Sequence, residues 1–147
     1  MRIIGEFGSF RLVVDVNNFT YQKVVELNEK IADIRREESI FAKYPLSEGE
    51  DRAAWRTRVE PLIEEDMIRK EGEDVSTHLR RMLSLKVDTF ELAPKILAAV
   101  CDTMGLKNPG EDELGQASWL ELKGFIHQIL SSCDIPCEDF YVPDVKA

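Results

Sequence analysis

The residues able to do chemistry in this chain are few and widely spaced. Cys133 and Cys137, with His127 a turn and a half upstream, are the nearest approach to a metal set. Structural zinc takes four ligands, usually as two close pairs. Helical spacing puts Cys133 on an apolar face and His127 on the polar one, and a fourth ligand would have to come from Cys101 or His78. Cys133-x-x-x-Cys137 is also one residue longer than the thioredoxin-type redox pair. Glu64, Glu65 and Asp66 suggest paired-carboxylate acid–base work or Mg²⁺ binding. Three consecutive helical residues point in different directions, however, and read as a solvated face. No glycine-rich phosphate cradle, G-x-S-x-G elbow or H-E-x-x-H helix occurs. The sequence names no catalytic residue, metal ligand or cofactor, and the chain reads as a non-enzyme.

The elements that would position any site are clearer. Ser118 and Glu121 have the spacing of a capping box, in which the hydroxyl accepts from the third amide and the carboxylate reaches back to the cap. Leu122, Phe125, Ile126, Ile129, Leu130 and Cys133 then fall on one broad helical face. Burying a side chain of this size is worth roughly 1.5–3 kcal/mol, so the rest of the chain has to cover that face. Residues 96–101 are apolar almost all round, and the helix that contains them, over 95–104, ends at Gly105-Leu106, a left-handed stop with its hydrophobic latch. This helix, packed on 118–133, is the expected centre of the core.

Residues 2–15 read as a β-hairpin closed by a type II′ turn at Gly8-Ser9. That register pairs Phe7 with Phe10, Glu6 with Arg11, Ile4 with Val13, Ile3 with Val14 and Arg2 with Asp15. Both charge pairs then share a face with Ile4 and Val13, while Ile3, Phe7, Phe10, Leu12 and Val14 line the other. Thr20 caps a helix whose seam is Val24, Leu27, Ile31, Ile34 and Phe41, widened by Tyr21, Val25 and Ala32. Ser47 and Glu50 form a second capping box opening a helix through Trp55 and Val59, with a break or kink at Pro61 and a close at Gly72. Glu71–Asp74 is an exposed loop, and a short helix follows from Ser76 to about Lys86. Asp88 or Thr89 caps the next, with Pro94 in its first turn, and residues 107–116 form a turn-rich connection.

At 147 residues, 44% hydrophobic and 32% charged, the composition is globular and large enough for a core without staples. Three cysteines without disulfide spacing indicate a reducing compartment. No secretory signal and no run of about 20 apolar residues is visible, so the expected location is the cytoplasm, of a cell or of an infected host. The net charge of −9 is concentrated toward the C-terminus: residues 91–147 carry four basic and ten acidic side chains. Phosphate backbones are bound by Lys and Arg, which argues against direct nucleic-acid binding despite the cluster Arg52, Arg56, Arg58.

The expected fold is mainly α: a single-domain helical bundle of five or six helices over 1–147, with a β-hairpin at 1–16, a helical body at 20–133 and an acidic-aromatic arm at 134–147. That arm is either extended and docked or flexible. Docking is preferred, because Phe140, Tyr141 and Val142 are unfavourable to leave wet. The expected function is non-catalytic binding of another protein, as an assembly factor, adaptor or chaperone. Its contact residues would be Glu138, Asp139, Phe140, Tyr141 and Val142 of the arm and Phe7 and Phe10 of the hairpin, since aromatics flanked by acids anchor while the charges steer. A homodimer through the hairpin or the 21–41 helix is a further expectation. An acidic inhibitor mimicking nucleic acid is the alternative, and a small hydrolase with an unrecognised site the third. In size and charge the profile resembles small accessory proteins of viruses and mobile elements, such as phage tail-assembly chaperones or host-defence inhibitors. That likeness also implies a protein-binding role.

Overall fold

A computed structural model describes residues 1–67, 71–77 and 89–143, with backbone only for 66 and 67. Its elements are β1 (Arg2–Phe7), β2 (Phe10–Asp15), α1 (Tyr21–Lys43), α2 (Arg52–Met67), α3 (Thr89–Met104), α4 (Glu111–Gln116) and α5 (Trp119–Ser132), with 3₁₀ turns at Val16–Asn18 and Glu138–Phe140. The fold is thus mainly helical with an N-terminal two-stranded antiparallel hairpin. The helix expected over 76–86 lies almost wholly outside the described residues. The chain divides into two compact units, Met1–Ile34 with Thr89–Ala147, and Arg35–Asp88.

In the first unit the hairpin has the register its sequence predicts, from Phe7↔Phe10 to Arg2↔Asp15. Gly8 takes φ +62° and Ser9 does not enter the positive-φ region, as a type II′ turn requires. Ile3, Phe7, Leu12 and Val14 are buried on one face, whereas Ile4 and Val13 are exposed on the other. The buried face rests on α5: the Phe7 ring meets Phe125 edge-on with centroids 5.3 Å apart. Gly5 permits that approach. A Cβ there would lie 2.6 Å from Phe7 Cζ and 2.7 Å from Phe125 Cδ2.

Helix α5 also packs against α3, burying Leu122, Phe125, Ile126, Ile129 and Leu130 on its side and Leu92, Ile96, Leu97, Val100 and Cys101 on the other. Helix α3 stops where its sequence says: Gly105 has φ +65° and Leu106 N–H donates to the Cys101 carbonyl at 2.8 Å. Pro94 is its sixth residue, inside the helix and just past the first turn. Residues 107–116 are more regular than expected, because Glu111, Asp112 and Glu113 occupy the first turn of α4, where the helix macrodipole favours negative charge.

Two sequence expectations about these helices change, one about a cap and one about a buried face. Ser118 Oγ accepts from Glu121 N–H at 3.4 Å, but the Glu121 carboxylate serves the hairpin: its Oε1 accepts from Glu6 N–H at 3.3 Å. A long-range donor on a strand edge has taken the place of the local one. On α1, Thr20 caps through Lys23 N–H at 3.3 Å, yet the buried stripe is only Leu27 and Ile31; Tyr21, Val25 and Ala32 are exposed.

The second unit contains the end of α1, a pinned turn and α2. Trp55 stacks on Phe41 with centroids 3.9 Å apart and donates its indole N–H to the Tyr44 carbonyl at 2.6 Å. Ser47–Glu50 forms the turn before the helix rather than its cap. Glu50 still accepts from Ser47 N–H at 3.1 Å, but Asp51 caps α2 by accepting from Ala54 N–H at 2.8 Å. Helix α2 continues through Pro61 instead of breaking. The carbonyl that Pro61 leaves without an amide belongs to Thr57, an exposed residue on the solvent side of the helix.

Candidate protein-binding surface

The C-terminal segment is held on α5 by the way that helix ends. Cys133 closes the helix, Asp134 takes φ +56°, and Ile135 N–H donates to the Leu130 carbonyl at 2.9 Å, which turns the chain back along α5. Ile135, Cys137 and Phe140 are then buried, and the 3₁₀ turn over Glu138–Phe140 packs on the helix. Beyond it, the Tyr141 ring stands edge-on to His127 at 5.7 Å, and Val142 lies over Gly124. Residues 124 and 127 are neighbours on one face of a helix, so the segment runs antiparallel along that face. The arm is docked through Val142.

Docking divides the residues expected to bind a partner. Phe7 and Phe140 have no exposed surface, and Phe10 is half-buried; these aromatics hold the fold together. Glu138 and Tyr141 are exposed, while Asp139 and Val142 are half-buried. Tyr141 shows 55% of its surface and Leu120, on the supporting helix, shows 60%. Sequence reasoning passed over Leu120. Its one signal was a leucine between Trp119 and Glu121, off the arc of the buried face.

The candidate chemical groups are placed otherwise. Cys101, Cys133 and Cys137 are all buried and form no disulfide. Burial, with a smaller contribution from Asp102, pushes the Cys101 thiol up to about 11, and burial likewise raises Cys133. Neither supplies thiolate near neutral pH, and thiolate is the nucleophilic and metal-binding form. His127 lies edge-on to the Tyr141 ring. Among the described residues, no group of three or more His, Cys, Asp or Glu side chains could hold a metal ion.

The arginine cluster is paired with acids. Arg52 and Arg56 both reach Glu37, at 3.1 and 3.3 Å. Arg58 grips Glu50 through two bonds of 2.9 Å and donates to the Pro45 carbonyl at 3.0 Å. These hydrogen bonds, with that from Ser47 N–H, hold the Glu50 carboxyl below its ordinary value. Glu64 and Glu65 are exposed, and the Asp66 side chain lies outside the described residues. Among the described residues, no helix is long and apolar enough to cross a membrane. No protein-family model, curated protein or solved structure matches the chain.

Proposed function

We propose that the protein acts by binding another protein, as an assembly factor, adaptor or chaperone, and not by catalysis. The observation that carries this reading is the docked C-terminal segment. Buried Ile135, Cys137 and Phe140 fix it on α5, and Tyr141 is left exposed beside Glu138. A pre-ordered aromatic loses little conformational freedom on contact, and an aromatic anchor rimmed by acids is a common interface centre. The surrounding acids would steer approach to a basic partner surface. Cytoplasmic location, in a cell or in an infected host, belongs to the same proposal and rests on three cysteines that form no disulfide.

A photo-crosslinking amino acid at position 141 tests this in the source cell, with the same group at Tyr21, which is 87% exposed, as the control. The proposal predicts one discrete adduct from position 141 that is absent from position 21. It also predicts that Leu120→Glu abolishes the adduct while the fold is retained. Equal labelling from both positions, or none from either, would overturn it.

A further inference from the structure

The hairpin has one edge partly covered, at Glu6, and one edge whose outward amides meet no acceptor among the described residues. With Phe7↔Phe10 flanking a two-residue turn, interstrand hydrogen bonds fall at Phe7↔Phe10, Gly5↔Leu12 and Ile3↔Val14. Val16 N–H donates to the Met1 carbonyl at 2.9 Å, which continues that alternation. The backbone groups of Arg2, Ile4 and Glu6 therefore point outward from β1, and those of Arg11, Val13 and Asp15 outward from β2. On the β1 edge, Glu121 receives the Glu6 N–H. On the β2 edge, among the described residues, the outward N–H groups of Arg11 and Val13 meet no acceptor. Natural strand edges are blunted by charged side chains, lysine above all, by proline or by a bulge; the charges beside this edge, Arg11 and Asp15, are opposite in sign and so suit a second antiparallel copy. Residues 1–19 contain neither lysine nor proline, and the register has no bulge.

We propose that a second copy of this chain occupies that edge, β2 against β2 and antiparallel, with Val13 opposite Val13 on the twofold axis. The strand's own charge pattern carries the choice of occupant. In this register Arg11 of each copy lies directly opposite Asp15 of the other, so the interface holds two opposite-charge pairs flanking an apolar one. Shifting the register by two residues either way sets Arg11 or Asp15 against Val13 and loses both pairs. The same register brings the outward backbone groups into facing positions: Val13 pairs with Val13 in both directions, and in each Arg11–Asp15 pair the Arg11 N–H meets the Asp15 carbonyl and the Asp15 N–H meets the Arg11 carbonyl. Leu12 falls opposite Val14, so the buried face continues across the junction. The Oδ1 atom of Asp15 accepts from Asn17 N–H at 3.0 Å, which leaves its other oxygen for Arg11. Helix α5 contacts β1, the strand away from this edge, through Glu6, Gly5 and Phe7. The result is a four-stranded sheet ordered β1-β2-β2-β1, an isologous arrangement in which one surface serves both copies.

This pairing uses no residue of the Tyr141 surface, and its test is separate from the crosslinking experiment. Sedimentation equilibrium of the full chain over a concentration series is expected to show a reversible dimer. Val13→Lys, at an exposed position, sets like charges on the axis and is expected to give a monomer with an unchanged circular dichroism spectrum. Register is read with cysteines. Val13→Cys is expected to form a disulfide-linked dimer on mild oxidation, because paired Cα atoms in such a position are about 5.5 Å apart. Arg11→Cys alone is expected not to form one, and a mixture of Arg11→Cys and Asp15→Cys chains is expected to form the mixed dimer. A wild-type chain that stays monomeric at every concentration would overturn the proposal. So would a dimer that survives Val13→Lys, or crosslinking of Arg11→Cys to itself.

Discussion

Phe140→Ala separates a structural arm from a free one. Phe140 has no exposed surface, whereas its neighbour Tyr141 keeps 55% of its own. A buried phenylalanine removes about 150–250 Å² from water. At roughly 25 cal/mol per Å² that transfer is worth about 4–6 kcal/mol, part of which the alanine methyl retains. Measured truncations of buried aromatics cost about 3–5 kcal/mol, the cavity included. For a chain of this length each kcal/mol moves Tm by about 2–4 °C, so Phe140→Ala is expected to lower the melting temperature by roughly 10 °C. Tyr141→Ala removes mostly wet surface and should stay within about 0.5 kcal/mol of wild type. Thermal melts followed by near-ultraviolet circular dichroism, with urea midpoints alongside, give both values. Equal small effects from the two substitutions would mean that the segment does not dock on α5, and the account of the binding surface would fail with it.

Three other outcomes follow from particular contacts. Gly5→Ala should destabilise by about 1–3 kcal/mol, because the new methyl displaces two packed rings. The 0.5–1 kcal/mol that alanine normally gains over glycine in a strand works the other way, so a net gain in a urea melt would show that the Phe7–Phe125 contact is absent. The Glu50 carboxyl should titrate below 4.5, and Arg58→Gln should return its midpoint toward that value. Because the folded value is depressed, the stabilisation is present above pH 4.5 and lost as pH falls through the folded midpoint. An NMR titration unmoved by Arg58→Gln would refute the pairing. Cys101 and Cys133 should resist iodoacetamide at pH 8 in the native protein and react once denatured, since burial holds both thiols protonated. Rapid native labelling of either, read by peptide mass, would contradict their placement.

Much of the fold was legible because local periodicity and long-range packing agree in it. The hairpin register follows from Gly8 at the turn and strict alternation on both strands. Helices α3 and α5 follow from wide apolar arcs with a readable stop at Gly105 and a readable cap at Ser118. What could not be read depends on contacts made at a distance. Nothing near Glu121 announces that its carboxylate will leave its own helix for the Glu6 amide. Three consecutive large residues, Phe140, Tyr141 and Val142, carry no period that says which one turns inward. Their division was set by the Asp134 turn and by the room over Gly124. Asp51 and Ser47 are both good caps by composition, and the Arg58 grip on Glu50 decided between them by holding the Ser47–Glu50 turn outside the helix. The exposed half of the candidate surface, Leu120, is invisible to any rule that looks only for buried faces.

The claim on which the account rests is that α5 carries the hairpin on one side and the returning C-terminal segment on another. Nuclear Overhauser contacts in the full chain test it most directly. Cross-peaks are predicted between the Phe7 and Phe125 rings, whose centroids are 5.3 Å apart, and between the Val142 methyls and the Gly124 α-protons. Assigned, sharp resonances for all four residues without either cross-peak would contradict it.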